Sequence, residues 1–169
     1  MSININVMVE AQHQIWDDDY CLGEKWYNED HFRYNRFRDE EDPAMVIVPI
    51  YDDQNYDLFA LLTGITNSGS IPCFGFGRGI PDDADEPTVD AFDRASECYH
   101  PETPGYATLD ELKQAHWELV VKGETELADG LNVLIEALDE RKREIWEVHE
   151  GEGNPTFDDR IRIIFWFDN

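Results

Sequence analysis

A chain of 169 residues holds enough material for one domain with a buried core, and nothing in its length calls for disulfide stapling. Its 38 acidic residues against 13 basic ones give a formal net charge of -25, while 41% hydrophobic and 12% aromatic residues exclude a disordered acidic tail. Such a charge repels phosphate backbones and anionic lipid, so neither direct nucleic-acid binding nor a membrane surface is expected; it could attract a basic surface, a divalent cation or simply water, and composition alone does not choose among these.

In chain order, the alternation in Ile3-Asn4-Ile5-Asn6-Val7 predicts a half-buried strand over 3–10. A short apolar run over 44–50 reads as a second strand, with Pro49 holding it to a strand end or sheet edge. Leu58, Leu61, Leu62 and Ile65 fall three and four apart and predict a helix over 56–65, ended near Gly64. From 67 to 105 glycines and prolines recur without a period, which predicts a long irregular loop and, in a compact domain, a candidate ligand or partner loop.

Thr108-Leu109-Asp110-Glu111 is a capping box and opens a helix over 109–121. Leu127, Leu131, Leu134, Ile135, Leu138 and Ile145 extend helical spacing over 125–149, and Gly151-Glu152-Gly153-Asn154-Pro155 is a stop. The segment 160–167 alternates and then turns apolar on both faces, the mark of a central strand. Together these elements predict a single α+β domain over 1–169: a small mixed sheet with helices on one face and a long irregular loop.

Three blocks carry a resemblance. Asn55-Tyr56-Asp57-Leu58-Phe59-Ala60-Leu61-Leu62, Arg78-Gly79-Ile80-Pro81-Asp82-Asp83, and His100 followed by Tyr106-Ala107-Thr108-Leu109-Asp110-Glu111-Leu112 stand in this order. They resemble blocks of a family of phage and bacterial proteins, without an assigned activity, that open Met-Gly-Cys-Asp-Ile-His. The resemblance implies a phage-borne protein. Where that family has Asp and His on its first strand this chain has Asn4 and Asn6, and two amides replace an anionic ligand and an imidazole poorly, so any metal site of the relatives is expected to be lost.

Acidic clusters at 17–19, 39–42, 52–53 and 82–86 lack the alternating ligands, central Gly and distal Glu of a calcium loop, and read as solvated surface. Glu136, Glu140, Glu144 and Glu147 have another use. Helix residues four apart advance about 6 Å, close to the spacing of about 6 to 7 Å between successive phosphates, so this ladder can imitate a nucleic-acid strand. Asp129, Asp139, Glu150 and Glu152 extend it. Against this stands an ordinary salt-bridged helix face, because Arg141, Lys142 and Arg143 lie within the ladder and Asp139 with Arg143 is an i,i+4 pair.

The five histidines lack metal-binding spacing, Ser68 and Ser70 lack a nucleophile elbow, and the Gly75-Phe76-Gly77-Arg78-Gly79 run lacks a P-loop ending. The aromatic residues between Tyr20 and Phe37, interleaved with Arg33, Arg36 and Arg38, read as core and ion pairs or as a small ligand patch. Cys21, Cys73 and Cys98 suit free thiols in a reducing cytosol, and no targeting or long apolar segment is seen, so a cytoplasmic protein is expected, in the host cytoplasm if phage-borne.

With no catalytic motif, no cofactor and no metal ligand set expected, the leading reading is an acidic binding protein. It would occupy a basic surface of a host nucleic-acid-binding or defence protein as a nucleic-acid mimic. One alternative is a small-molecule or metal-binding domain with Glu10, Arg78 and His100 around a pocket near the 67–105 loop. Another is an accessory structural phage protein with a merely acidic surface.

Overall fold

A computed structural model describes residues 3–17, 20–34, 45–65, 71–98, 101–148 and 158–168. Six strands are described: Asn4–Asp17 (β1), Tyr20–Asn28 (β2), His31–Tyr34 (β3), Met45–Val48 (β4), Glu102–Thr108 (β5) and Ile161–Asp168 (β6). Four helices accompany them: Tyr56–Thr63 (α1), Glu86–Cys98 (α2), Leu109–Lys122 (α3) and Thr125–Val148 (α4). The main sheet has the order β2-β1-β6-β5, and β3 pairs with β4 separately.

The period-two pattern of β1 sets the two sides of this sheet. Ile5, Val7, Val9 and Ala11 point one way, into a cluster with Ile161, Ile163, Phe165 and Phe167 of β6 and with α1, α3 and α4. The alternate residues Met8, Ile164 and Trp166 point the other way, against Phe92, Ala91 and Ala95 of α2. β6 is therefore buried on both faces, as its apolar run predicts, and it lies between β1 and β5.

Local chemistry fixes the helix ends. Asn55 caps α1 by accepting from the Leu58 N–H at 3.0 Å, and Gly64, at φ 80, closes it onto the Ala60 carbonyl. At α3 both bonds of the capping box form between Thr108 and Glu111.

The α+β class holds, with three differences from the sequence reading. Every described pairing is antiparallel, so the sheet is not mixed. Helices cover both faces rather than one, because α2 lies opposite the other three. The 67–105 stretch is not one irregular loop, since it contains α2 and most of β5, leaving 71–85 as its described irregular part. The glycines and prolines gather at its two ends. None falls between Thr88 and His100, where α2 forms, and Pro104 is tolerated because β5 is an edge strand.

The glycine-rich run lies along the outer edge of β5. The Phe74 and Phe76 N–H groups donate to the Leu61 and Leu62 carbonyls of α1, while the Phe76 carbonyl accepts from Tyr106 N–H at 3.1 Å. Gly105 permits this crossing: a Cβ there would stand 2.1 Å from the Phe76 carbonyl oxygen and 2.9 Å from Gly77 Cα. Both obstacles are backbone and cannot swing aside. Gly105→Ala is therefore expected to destabilise the chain by about 1–3 kcal/mol in urea unfolding, a cost typical of overfilling a well-fitted site.

Candidate functional site

The 13 basic residues decide where negative charge is left over. Of the basic side chains described, Lys25, Arg78, Lys113, Lys122, Arg141, Lys142, Arg143, Arg160 and Arg162 each hold a carboxylate. Arg94 donates to the Asp90 carbonyl of its own helix. These cations are thus spent within the chain, and the acids beyond their reach define the surface.

That division splits the α4 ladder. Glu144 takes Arg141 at 2.8 Å and His31 at 2.9 Å, and the Arg141 hydrogen bond, then that of His31, holds its carboxyl below the usual range. Glu140 is paired with Arg143. Asp139 does not use Arg143, its expected i,i+4 partner, but Lys113 of α3 at 2.9 Å. Asp129, Glu136 and Glu147 form no ion pair among the described residues; Glu136 accepts only the Asn132 amide, at 2.8 Å. Glu150 and Glu152 lie outside the described residues.

A second set of acids, not singled out as a site from sequence, joins the free half of the ladder. The start of α1 and the segment before it border a shallow depression of about 490 Å³, lined by Tyr51, Asp53, Gln54, Asn55, Tyr56, Asp57 and, from α4, Val133. Val133 stands one turn beyond Asp129 and one turn before Glu136, on the same exposed side. Gly130 sits at the contact between the helices, where a Cβ would come within 3.1 Å of Asn55 Nδ2. Asp52, Asp53 and Asp57 form no ion pair among the described residues. Burial, then the Asp53 carboxylate, raises the Tyr51 hydroxyl above its ordinary value. The sequence signal was the Asp52-Asp53 pair, but nothing local places it beside α4.

The residues of the pocket alternative are placed differently. Glu10 is fully buried, its Oε2 accepting from Arg162 Nη2 at 2.7 Å and its Oε1 from the Asp85 N–H at 2.9 Å, so both oxygens are engaged within the chain. Arg78 lies at the surface, held by Glu111 at 2.6 Å and set over the Tyr106 ring at 3.9 Å. His100 lies outside the described residues. Among the described residues no group of three or more His, Cys, Asp or Glu side chains is placed to hold a metal ion, and no helix is long and apolar enough to cross a membrane.

Glu10 belongs instead to a buried polar network on the α2 side of the sheet. Arg162, 3% exposed, also reaches Asp83 at 2.9 Å and stacks on Trp26 at 4.0 Å. Trp26 is thus a core residue, as one reading of the aromatic-rich segment holds; the side chains of Tyr20 and of residues 32–38 in that segment lie outside the described ones. Asp85 accepts from the Asn28 N–H, and Asn28 in turn binds Asp30 and Thr88. These groups satisfy one another and brace the end of β1 against β2, β6 and α2.

Comparison of the chain with protein-family models, with curated proteins and with solved structures yields no match.

Proposed function

We propose that this chain is an acidic binding protein without chemistry of its own, whose α1–α4 face occupies a basic surface on a nucleic-acid-binding protein. The observation that carries the reading is the uneven use of cations. Lys and Arg side chains pair with Asp139, Glu140 and Glu144 of α4 and with the buried network, and leave Asp53 and Asp57 in the depression, Asp52 next to them in sequence, and Asp129 and Glu136 one helical turn either side of its Val133, with no counter-charge among the described residues. Holding five like charges together costs stability, and a basic partner recovers that cost on binding. The carboxylates spread over two elements, so they match a patch of phosphate contacts rather than a single strand. The resemblance to phage proteins supplies the setting, a phage product acting in the host cytoplasm.

The reading is tested by capture from host lysate with the wild type and with Asp53→Asn/Asp57→Asn/Asp129→Asn/Glu136→Gln. At about 0.5 kcal/mol per exposed charge, the variant is expected to bind the captured nucleic-acid-binding protein about thirtyfold more weakly while unfolding at the same or higher urea. Glu140→Gln/Glu144→Gln, which removes acids already paired, is expected to lose far less. Equal binding by wild type and the four-site variant rejects this face.

A further inference from the structure

The outer side of α3 carries apolar side chains that the core does not use. Trp117, Val120 and Val121 are 60%, 50% and 64% exposed, at spacings that place them on one helix face. The opposite face is spent on Leu109, Leu112, Ala115 and Leu119. Both α3 and α4 bury into the same cluster on the same side of the sheet, and Lys113 ties them through Asp139. Their exposed faces therefore look out on one side of the molecule, the Trp117 stripe beside the acids of α4.

We propose that this stripe is the apolar anchor of the partner interface, and that it receives a helix of the partner that is apolar along one side and rich in Lys or Arg along its flanks. The inference rests on the acidic-face reading and adds the kind of element recognised. Charge selects the occupant. A second copy would bring another -25 chain against a face already bordered by exposed Glu124, Glu126 and Asp129, whereas a basic helix relieves that repulsion as it buries the stripe. Area points the same way. Three partly exposed side chains of this size offer roughly 300 Å² of apolar surface, short of the roughly 800 Å² per partner of a stable interface, so the stripe needs the charged flanks to complete it. An apolar centre with a charged surround also distinguishes this surface from a pure phosphate imitation, which would carry no such stripe.

The test is calorimetric titration of the whole chain with two synthetic peptides of about 18 residues. One is a helix with Leu along one face and Lys elsewhere; the other replaces each Leu by Ala at the same charge. The Leu/Lys helix is expected to bind the wild type about tenfold or more tighter than the Ala/Lys peptide, and to keep part of that advantage at high salt. Trp117→Ser/Val121→Ser, at exposed positions, should abolish the advantage and leave Ala/Lys binding unchanged. If this variant binds the Leu/Lys helix as tightly as wild type does, the anchor is overturned while the acidic face stands. If the Trp117 dependence holds but Asp53→Asn/Asp57→Asn/Asp129→Asn/Glu136→Gln weakens neither peptide, the acidic face fails and the anchor survives as a merely apolar contact. A Trp117-dependent dimer in sedimentation overturns the basic-helix occupant in favour of a second copy.

Discussion

Arg162→Met is expected to destabilise the chain by about 3–5 kcal/mol in urea unfolding, the cost of leaving a buried charge without its partner. The carboxylate left behind is Glu10, which is fully buried and accepts two bonds from the guanidinium, at 2.7 and 3.0 Å. Removing Arg162 also frees Asp83 and takes the cation off the Trp26 ring. The loss is therefore electrostatic first and steric second, since Met fills much of the vacated volume. A paired variant separates the two: Glu10→Gln/Arg162→Met removes both charges, keeps an acceptor for the Asp85 N–H, and is expected to recover a large part of the loss. Equal destabilisation by the single and paired variants would show that packing, not the stranded charge, sets the cost.

A second large effect concerns Asp30. Burial pushes its carboxyl up to about 7, against the opposing hydrogen bonds from the Asn28 side chain and the Val9 N–H and the attraction of Arg141, while the nearby Glu10 carboxylate adds to the rise. A raised carboxyl means that the folded chain keeps a proton that the unfolded chain releases at its ordinary value near 4. Its contribution is full below about pH 4, falls by up to about 1.4 kcal/mol per pH unit as pH rises, and is gone above about pH 7. Asp30→Asn carries no such proton. Its stability relative to wild type is therefore expected to improve by about 2–3 kcal/mol between about pH 5 and pH 8, read from urea midpoints at the two pH values. A difference that does not move with pH would place the Asp30 carboxyl at its ordinary value.

What could be read in the sequence was what is decided locally. The Thr108–Glu111 capping box and the Gly64 stop depend on residues within one turn, and both appear where the spacing places them. The alternation of β1 and the double-sided apolar run of β6 reflect burial that each strand imposes by itself. α2 was hidden because its inward residues, Thr88, Ala91, Phe92 and Ala95, are mostly small or polar and carry little periodic signal between flanking prolines.

The site was half legible for the same reason. Helical spacing alone aligned Asp129, Glu136, Glu140, Glu144 and Glu147, and Arg141 and Arg143 of the same helix pair with Glu144 and Glu140, but that Asp139 turns to Lys113 instead of Arg143, and that Glu144 also holds His31, is set far away in the chain. The contribution of Asp53 and Asp57 depends on the contact of Asn55 with Gly130, which no local pattern announces. Glu10 read as a ligand group because its guanidinium partner lies 152 residues later.

The most direct test of the acidic face is competition between this chain and duplex DNA for the nucleic-acid-binding protein it captures, followed by the anisotropy of labelled DNA at low and high salt. Displacement of the DNA that weakens steeply with salt, and that Asp53→Asn/Asp57→Asn/Asp129→Asn/Glu136→Gln abolishes, is the expected result. A stable ternary complex, with chain and DNA bound to the partner together, would contradict it.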